Sequence, residues 1–415
     1  MVTGVPGLLD ARAALLPLGA AFASLPAPTR EAHERPKAYY AIGWSHGKES
    51  LEGRPDLAKG SFYANPLHDA PFGNGNEAAI KSFPSYAHPN VWPSEVRAFH
   101  DLPWPSMAFR DLPWPSMAFH RPSTGLPWPS TDLPRPSMAF HGLPWPSMAV
   151  NAHAPQCTYP ATPPRPPSSP PQSLPSLEPA FKALGRLVVN VGRLVAQQCD
   201  AHVTSLLGPA AYPPNKLGEI VGDHRCCKAR LLHYFPRGDA NEAGAEVGAG
   251  AGDFSSWCGW HNDHGSLTGL VSAMYLDSRT GAPLAASPDP EAGLYIRDRH
   301  GALHHAAFGP DEIAFQIGEA AQIHSGGWLQ ATPHAVRGCA PTTSLGRYAS
   351  RESFAVFMQP WAQASMAVPE GVDPDVAQAQ AAIKALPGRV PPLASRWDNS
   401  MTFGEFTIKT IEKYY

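Results

Sequence analysis

The residues of this chain best placed to do chemistry together are His261 and Asp263, two positions apart in the run Trp260–Thr268. On a strand, positions i and i+2 share a face, so an imidazole and a carboxylate would point the same way. Far downstream, Ala331–Val336 supplies a second imidazole at His334, with His324 as its competitor. Two imidazoles and one carboxylate on one side of an octahedral ion leave the opposite positions open to other ligands. That is the donor set of non-haem Fe(II) oxygenase sites. Further on, Arg351 and Ser353 alternate onto one strand face. A guanidinium beside a hydroxyl suits the far carboxylate of a 2-oxo acid bound at such an ion. Ligand histidines must be neutral, so metal binding here is expected to weaken on acidification.

The His-x-Asp spacing carries little by itself. With 18 histidines in 415 residues, about one such pair is expected by chance. Order and surroundings carry the weight. His261-x-Asp263, then His334-x-Val336, then Arg351-x-Ser353 is the order of plant-type 2-oxoglutarate/Fe(II) dioxygenases, the isopenicillin N synthase-like superfamily. Leu232–Pro236 resembles that family's Asn-Tyr-Tyr-Pro, and Gly293–Ile296 its Gly-Leu-x-Val strand. Ala314–Glu319 resembles its Val-Asn-Ile-Gly-Asp, and Ser350–Phe357 its last barrel strand. Segments 43–49 and 59–65 resemble stretches of an uncharacterised plant and algal branch. The resemblance is close over residues 180–361 and looser in the flanks.

What the resemblance implies is specific. His261, Asp263 and His334 would be the metal ligands and the catalytic centre. His334 is preferred to His324 because it alone has the Thr-x-His-x-Val context ahead of Arg351. Arg351, Ser353 and Tyr234 would contact the co-substrate. Fe(II) would be the cofactor, 2-oxoglutarate the co-substrate and dioxygen the oxidant, with ascorbate as an accessory reductant. A small organic substrate would be oxidised with release of succinate and carbon dioxide. Two positions depart from the pattern: Phe235 replaces a tyrosine that often contacts the co-substrate, and Glu319 replaces an aspartate. Two other readings stay open. One is an Fe(II) oxidase of the same fold that does not use 2-oxoglutarate. The other is a catalytically inactive binding or scaffold protein.

Positioning these residues calls for a mainly β architecture with flanking α-helices. Strands are expected at 229–235, 257–263, 269–276, 293–298, 302–308, 312–317, 332–337 and 351–358. About eight antiparallel strands of this kind make a double-stranded β-helix, a jelly roll, whose mouth can hold a metal and two small ligands. Apolar residues recur at helical spacing through 179–207, from Phe181 to Val195, which predicts an amphipathic helix. Helices are also expected at 10–24 and 375–386, and a first strand at 2–6. The aromatic, polar segments 43–49 and 59–65 read as loops. Pro/Ala/Gly-rich stretches near 281–291 and 338–349 read as insertions, which cost little because closure entropy grows only logarithmically. The terminal segment 395–415 would lie across the barrel.

Proline divides the chain. Residues 101–175 hold 20 of the 48 prolines, far above the usual share of about 5%. Asp101–Phe109 recurs at 111–119, in part at 126–131, and again at 132–140 and 142–150. Paired prolines at a period near ten fit neither helix nor sheet. Polyproline II or disorder is expected, as a surface-loop insertion or as a ligand for a protein partner with an aromatic groove. The organisation that follows is 1–100 as the N-terminal part, 101–176 as a disordered insertion, 177–361 as the catalytic core and 362–415 as a C-terminal helix and tail. It is a single catalytic domain interrupted once.

Composition narrows the partners. A net charge of −3 gives no attraction to nucleic acid or anionic membranes. No apolar run reaches spanning length, and the apolar run at 14–23 lacks the basic start of a secretory signal. Six cysteines without a Cys-x-x-Cys read as reduced thiols of a cytoplasmic protein. A monomer acting on a small molecule is expected. Simpler roles stand beside the sharp ones. Tyr234, Trp257, Cys258 and Trp260 would serve equally as wall packing, with Cys258 an inert core thiol. His264 should face away from Asp263, and His300, His304 and His305 should be exposed. Arg351 could pair with Glu352 at the surface. The apolar run Phe354–Phe357 instead marks a buried strand, where a guanidinium needs an anion.

Overall fold

The computed structural model describes residues 1–51, 54–93, 173–238, 257–340, 344–379 and 391–413. The described residues all belong to one compact unit, within Met1–Arg97 and Ser169–Tyr415. The proline-tryptophan copies and the partner surface expected of them lie outside the described residues. Within this unit, the backbone N–H of Leu174 donates to the carbonyl of Pro93 at 3.0 Å. The two ends flanking the interruption are therefore adjacent.

Two antiparallel sheets make the core of this unit. The strands that matter are β1 (Val2–Thr3), β2 (Gly43–His46), β3 (Lys59–Ala64), β4 (Lys228–Tyr234), β5 (Cys258–His261), β6 (Leu267–Val271), β7 (Met274–Asp277), β8 (Gly293–Arg297), β9 (Leu303–His305), β10 (Glu312–Ile317), β11 (His334–Arg337) and β12 (Ala349–Met358). The larger sheet runs β1-β10-β6-β12-β4-β3-β2, with β7 pairing farther along the ten-residue β12. The smaller runs β9-β8-β11-β5. This is a jelly roll with helices on one outer face.

Alternation sorts the side chains. On β12, Phe354 and Val356 join the outer core with Leu231 of β4 and Leu267 of β6. Helix α3 (Leu177–Leu207) covers that face with Phe181, Leu184 and Val188, the stripe expected from its spacing. Closeness fixes Gly269 on β6, where a Cβ would lie 2.3 Å from Cγ1 of Val188. The opposite face of the same strands points inward, where Leu232, Tyr234 and Ala355 meet Trp257, Leu294 and Val336 from the smaller sheet.

Several expectations shift. The helix expected over 10–24 is two, α1 (Leu8–Leu15) and α2 (Pro17–Ala23), because Pro17 has no N–H to continue the ladder. The first strand is only two residues, Val2 and Thr3, paired to Ile313 and Glu312. Segments 43–49 and 59–65 are not loops. They contribute β2 and β3, with β3 paired along β4 and β2 along β3. Their polar side chains are held from within: Arg230 donates to Glu49 at 2.8 Å, and Lys59 pairs with Glu49 at 3.1 Å. Tertiary pairing overrides low strand propensity there. The strand expected at 269–276 is split into β6 and β7, and the carbonyls of Ser272 and Ala273 at the break accept the Arg12 guanidinium at 2.7 Å each. Strands expected at 302–308 and 332–337 are shorter, Leu303–His305 and His334–Arg337. Of the helix expected at 375–386, Pro374–Ala379 is described and the rest lies outside the described residues.

Candidate metal centre

The smaller sheet brings the two histidines together. His334 on β11 is the direct cross-strand partner of His261 on β5, and their rings lie 4.1 Å apart between centroids. Asp263 completes the group, with one ligand atom from each residue within 4.8 Å of the others. Its placement differs from expectation. β5 ends at His261, so Asp263 is carried by the following loop and not by the same strand face. The Nε2 atoms of His261 and His334 lie 4.0 and 3.9 Å from the same Asp263 oxygen, Oδ1.

Both rings have their other nitrogen committed. Nδ1 of His261 lies 2.8 Å from the carbonyl of Gly259, and Nδ1 of His334 lies 3.0 Å from that of Thr332. A carbonyl can only accept, so each Nδ1 carries the proton and each Nε2 offers a lone pair. Burial, with His261 alongside, also holds His334 below the ordinary histidine range. The ring is thus kept neutral, the form a metal requires. Donor type, tautomer and convergence all fit a small divalent transition metal.

The loop bearing Asp263 is fastened from below. The N–H of Glu319 donates to the Asp263 carbonyl at 2.8 Å, and that of Gly318 to the Ser266 carbonyl at 3.1 Å. Only glycine fits at 318, since a Cβ would stand 2.2 Å from the Gly265 carbonyl oxygen. The carboxylate of Glu319 takes a two-pronged pair from Arg396 at 2.8 and 2.9 Å, both side chains almost fully buried. The C-terminal segment therefore holds the metal loop. It also covers His264, which turns away from the centre, stacks on Phe403 with ring centroids 5.7 Å apart, and is pushed down to about 4 by burial.

The larger sheet supplies the second half of the site. Arg351 faces Tyr234 across β12 and β4, its guanidinium 5.0 Å from the Tyr234 ring centre. Nη1 donates to Ser353 Oγ at 3.3 Å. Nε is buried without a hydrogen-bond partner. Among the described residues no carboxylate pairs with this guanidinium, so an anionic group is what would complete it. Glu352 faces the other way, fully buried against His233 at 2.8 Å. Phe235 also lies on that outer side, with ring centroids 4.5 Å from His233 and 4.8 Å from His46. Tyr234 is the aromatic residue that faces inward, and the hydroxyl missing at Phe235 takes nothing from the interior.

His324 is not part of the centre. It is buried in α4 (Glu319–His324), bonded to the Ser365 carbonyl at 2.9 Å. His300, His304 and His305 are exposed. Cys258 packs against the inner apolar cluster, its sulfur 3.9 Å from Nδ1 of His261. No role was expected of Gln316, although it stands within the matched segment Ala314–Glu319, and its amide lies 2.6 Å from His334 Nδ1. Alternation held the signal: Ile313, Phe315 and Ile317 on β10 pack outward with the helix-covered core, which turns Gln316 inward.

No family model matches the sequence, and no curated protein matches it. Solved structures do. A full-length Neurospora crassa protein in complex with alpha-KG is 15% identical, with 99% of this chain and 85% of that chain covered at a TM-score of 0.52. The same Neurospora protein with alpha-KG and 5-formyluracil gives 14% identity, 98% and 83% coverage and a TM-score of 0.51. A 2OG-Fe(II) oxygenase family protein from Caulobacter crescentus is 15% identical, with 98% and 85% coverage and a TM-score of 0.49. The first two establish that this chain shares the jelly-roll fold of the Neurospora protein.

Proposed function

We propose that this protein is a non-haem Fe(II), 2-oxoglutarate-dependent oxygenase acting on a small organic substrate. The observation that carries the reading is the convergence of His261, Asp263 and His334, with the Nδ1 atoms of both histidines tied to carbonyls. Arg351 then favours a 2-oxo dicarboxylate. It is a buried guanidinium with an unpartnered Nε and no carboxylate partner among the described residues. The Neurospora crassa protein, described in complex with alpha-KG, offers a parallel on the same fold.

In this reading His261, Asp263 and His334 would hold the iron. Bound iron supplies the dioxygen chemistry, with 2-oxoglutarate going to succinate and carbon dioxide. The chain's residues orient the reactants. Arg351 and Ser353 hold the far carboxylate, and Tyr234 packs under the guanidinium and keeps it in place. Trp257, Leu294 and Val336 keep water from the interior. Substrate oxidation, ascorbate as accessory reductant and a small-molecule partner belong to the same proposal. No helix among the described residues is long and apolar enough to cross a membrane.

The test is product formation. Protein, Fe(II) and 2-oxoglutarate are incubated in air with a panel of small organic compounds, and succinate is measured. Iron-dependent succinate that disappears in His334→Ala supports the proposal. Dioxygen uptake without succinate would replace it with an oxidase that does not use 2-oxoglutarate.

A further inference from the structure

The inward face of the larger sheet continues past Arg351 into a second polar region. Across β12, β4 and β3, Arg351 stands beside Tyr234 and Tyr234 beside Lys59. In the next rows Ser61 lies between Leu232 and Ser45 of β2, and Arg230 faces Tyr63. Alternation turns Ser45, Lys59, Ser61 and Arg230 to the same interior as Arg351. Glu49 and Asp56 reach them from the connection between β2 and β3. These six side chains line a cavity of about 160 Å³, counted with the solvent it opens to. A drug-sized ligand needs roughly 300 Å³ or more, so this space takes one end of a small molecule. The metal centre is near. Lys59 is two strands from Arg351, about 10 Å at the usual strand spacing. Cys258 of β5 stands between, its sulfur 3.9 Å from Nδ1 of His261 and close enough to Lys59 and Arg230 for its charge to act on both.

Donors and acceptors around the cavity do not balance. Glu49 accepts from Arg230 Nη2 at 2.8 Å, from the Tyr63 hydroxyl at 3.0 Å and from Lys59 at 3.1 Å. Asp56 accepts from Lys59 and from the Ala58 N–H. All four carboxylate oxygens are thus taken by donors of the chain. Burial works against the Glu49 charge, yet Arg230 and Lys59 hold its carboxyl well below the usual range. The cations are not used up. Arg230 spends Nε on Ser61 at 2.9 Å and Nη2 on Glu49, which leaves Nη1. Lys59 has three N–H and spends two. The hydroxyl protons of Ser45 and Ser61 border the same space. What is left over is donors, two of them charged, and their complement is an anionic acceptor.

We propose that this cavity seats a carboxylate of the prime substrate, held by Arg230, Lys59 and Ser45, while the metal centre acts on the rest of the molecule. The inference rests on the oxygenase reading above and adds a substrate class to it: small monocarboxylic acids. A dianion is disfavoured, because Glu49 and Asp56 line the same walls.

The probes are arylalkanoic acids, each set beside its methyl ester and the amine of the same skeleton. Affinity is read by ligand-observed proton NMR on the full-length chain. The chain is measured alone and then with saturating 2-oxoglutarate and Mn(II), whose unpaired electrons broaden the signals of nearby protons. An acid should bind about tenfold tighter than its ester and its amine. It should be broadened by Mn(II) and not be displaced by 2-oxoglutarate. Arg230→Lys keeps a cation beside Glu49 and loses the fork, and should weaken the acid about tenfold. Ser45→Ala leaves every ion pair in place and should weaken it about threefold, which keeps the test open if Arg230→Lys fails to fold. Equal binding of acid and ester, or preference for the amine, would overturn the proposal. So would an acid that 2-oxoglutarate displaces and neither variant affects, since it would then sit at Arg351. Selective binding without broadening in a chain that holds Mn(II) would overturn the role as substrate seat. A chain that takes up no Mn(II) would overturn the oxygenase reading instead, and the preference of acid over ester in the chain alone would still decide what the cavity holds.

Discussion

At the scale of residues, two substitutions separate the halves of the site. His261→Ala or His334→Ala removes one of three donors and should abolish stoichiometric Fe(II), read by metal analysis after desalting. Arg351→Met leaves the donors intact and removes a charge-assisted contact, each such bond being worth about 1.5–3 kcal/mol. It should therefore keep iron and weaken 2-oxoglutarate binding about tenfold to a hundredfold, read by anaerobic calorimetry. Loss of iron in the Arg351 variant would mean that the guanidinium supports the triad and not the co-substrate. The three candidate ligands could be picked out because their order and local context stand in one dimension. Gln316 could not, since its place beside His334 comes from strands of the two sheets meeting across the barrel. The two backbone carbonyls that set the tautomers have no sequence signal at all.

At the scale of elements, the C-terminal segment is the support of the metal loop. Removing one partner of a buried, bidentate ion pair costs about 3–5 kcal/mol. Arg396→Met should therefore destabilise the fold by that order in urea unfolding, and it should weaken metal binding because Asp263 hangs from the same turn through the Glu319 N–H. Normal metal affinity in a folded Arg396→Met would separate the two. The buried His324 gives one share of the pH dependence, beside that of His264. Burial lowers His324 to about 4, while the unfolded chain keeps a value near about 6.5. Between those values the unfolded state binds more protons, so its contribution to stability is whole above about pH 6.5 and is lost as pH falls toward about 4. His324→Gln should flatten the slope of stability across that window, measured by urea unfolding at several pH values. Elements with strong periodicity were legible, the long α3 and the alternating β12 above all. β2 and β3 were not, because Gly and Ser recur in them and only pairing, of β3 to β4 and of β2 to β3, makes them strands. The end of β5 was hidden for a related reason: the loop bonds to α4 that lift Asp263 off the strand are long-range.

At the scale of the whole molecule, the jelly roll was readable from the count and spacing of apolar runs, and so was the place of the interruption. The 3.0 Å bond from the Leu174 N–H to the Pro93 carbonyl closes the barrel's own chain path across that interruption. Replacing residues 97–170 by a short Gly/Ser linker shortens the closed loop several-fold and should favour the folded state by about 1–2 kcal/mol. Equal or higher melting temperature with retained metal binding is expected, and a chain that fails to fold would show that the segment contributes to the barrel. The fold alone does not say what the chain acts on, because function lies in particular side chains and not in the architecture. The most direct test of the central claim is an anaerobic absorption titration of the purified chain, first with Fe(II) and then with 2-oxoglutarate. Saturation at one iron per chain is expected, followed by a weak visible metal-to-ligand charge-transfer band. That band should be lost in His334→Ala and should need more 2-oxoglutarate in Arg351→Met. Iron uptake with no such band at any 2-oxoglutarate concentration would contradict the claim.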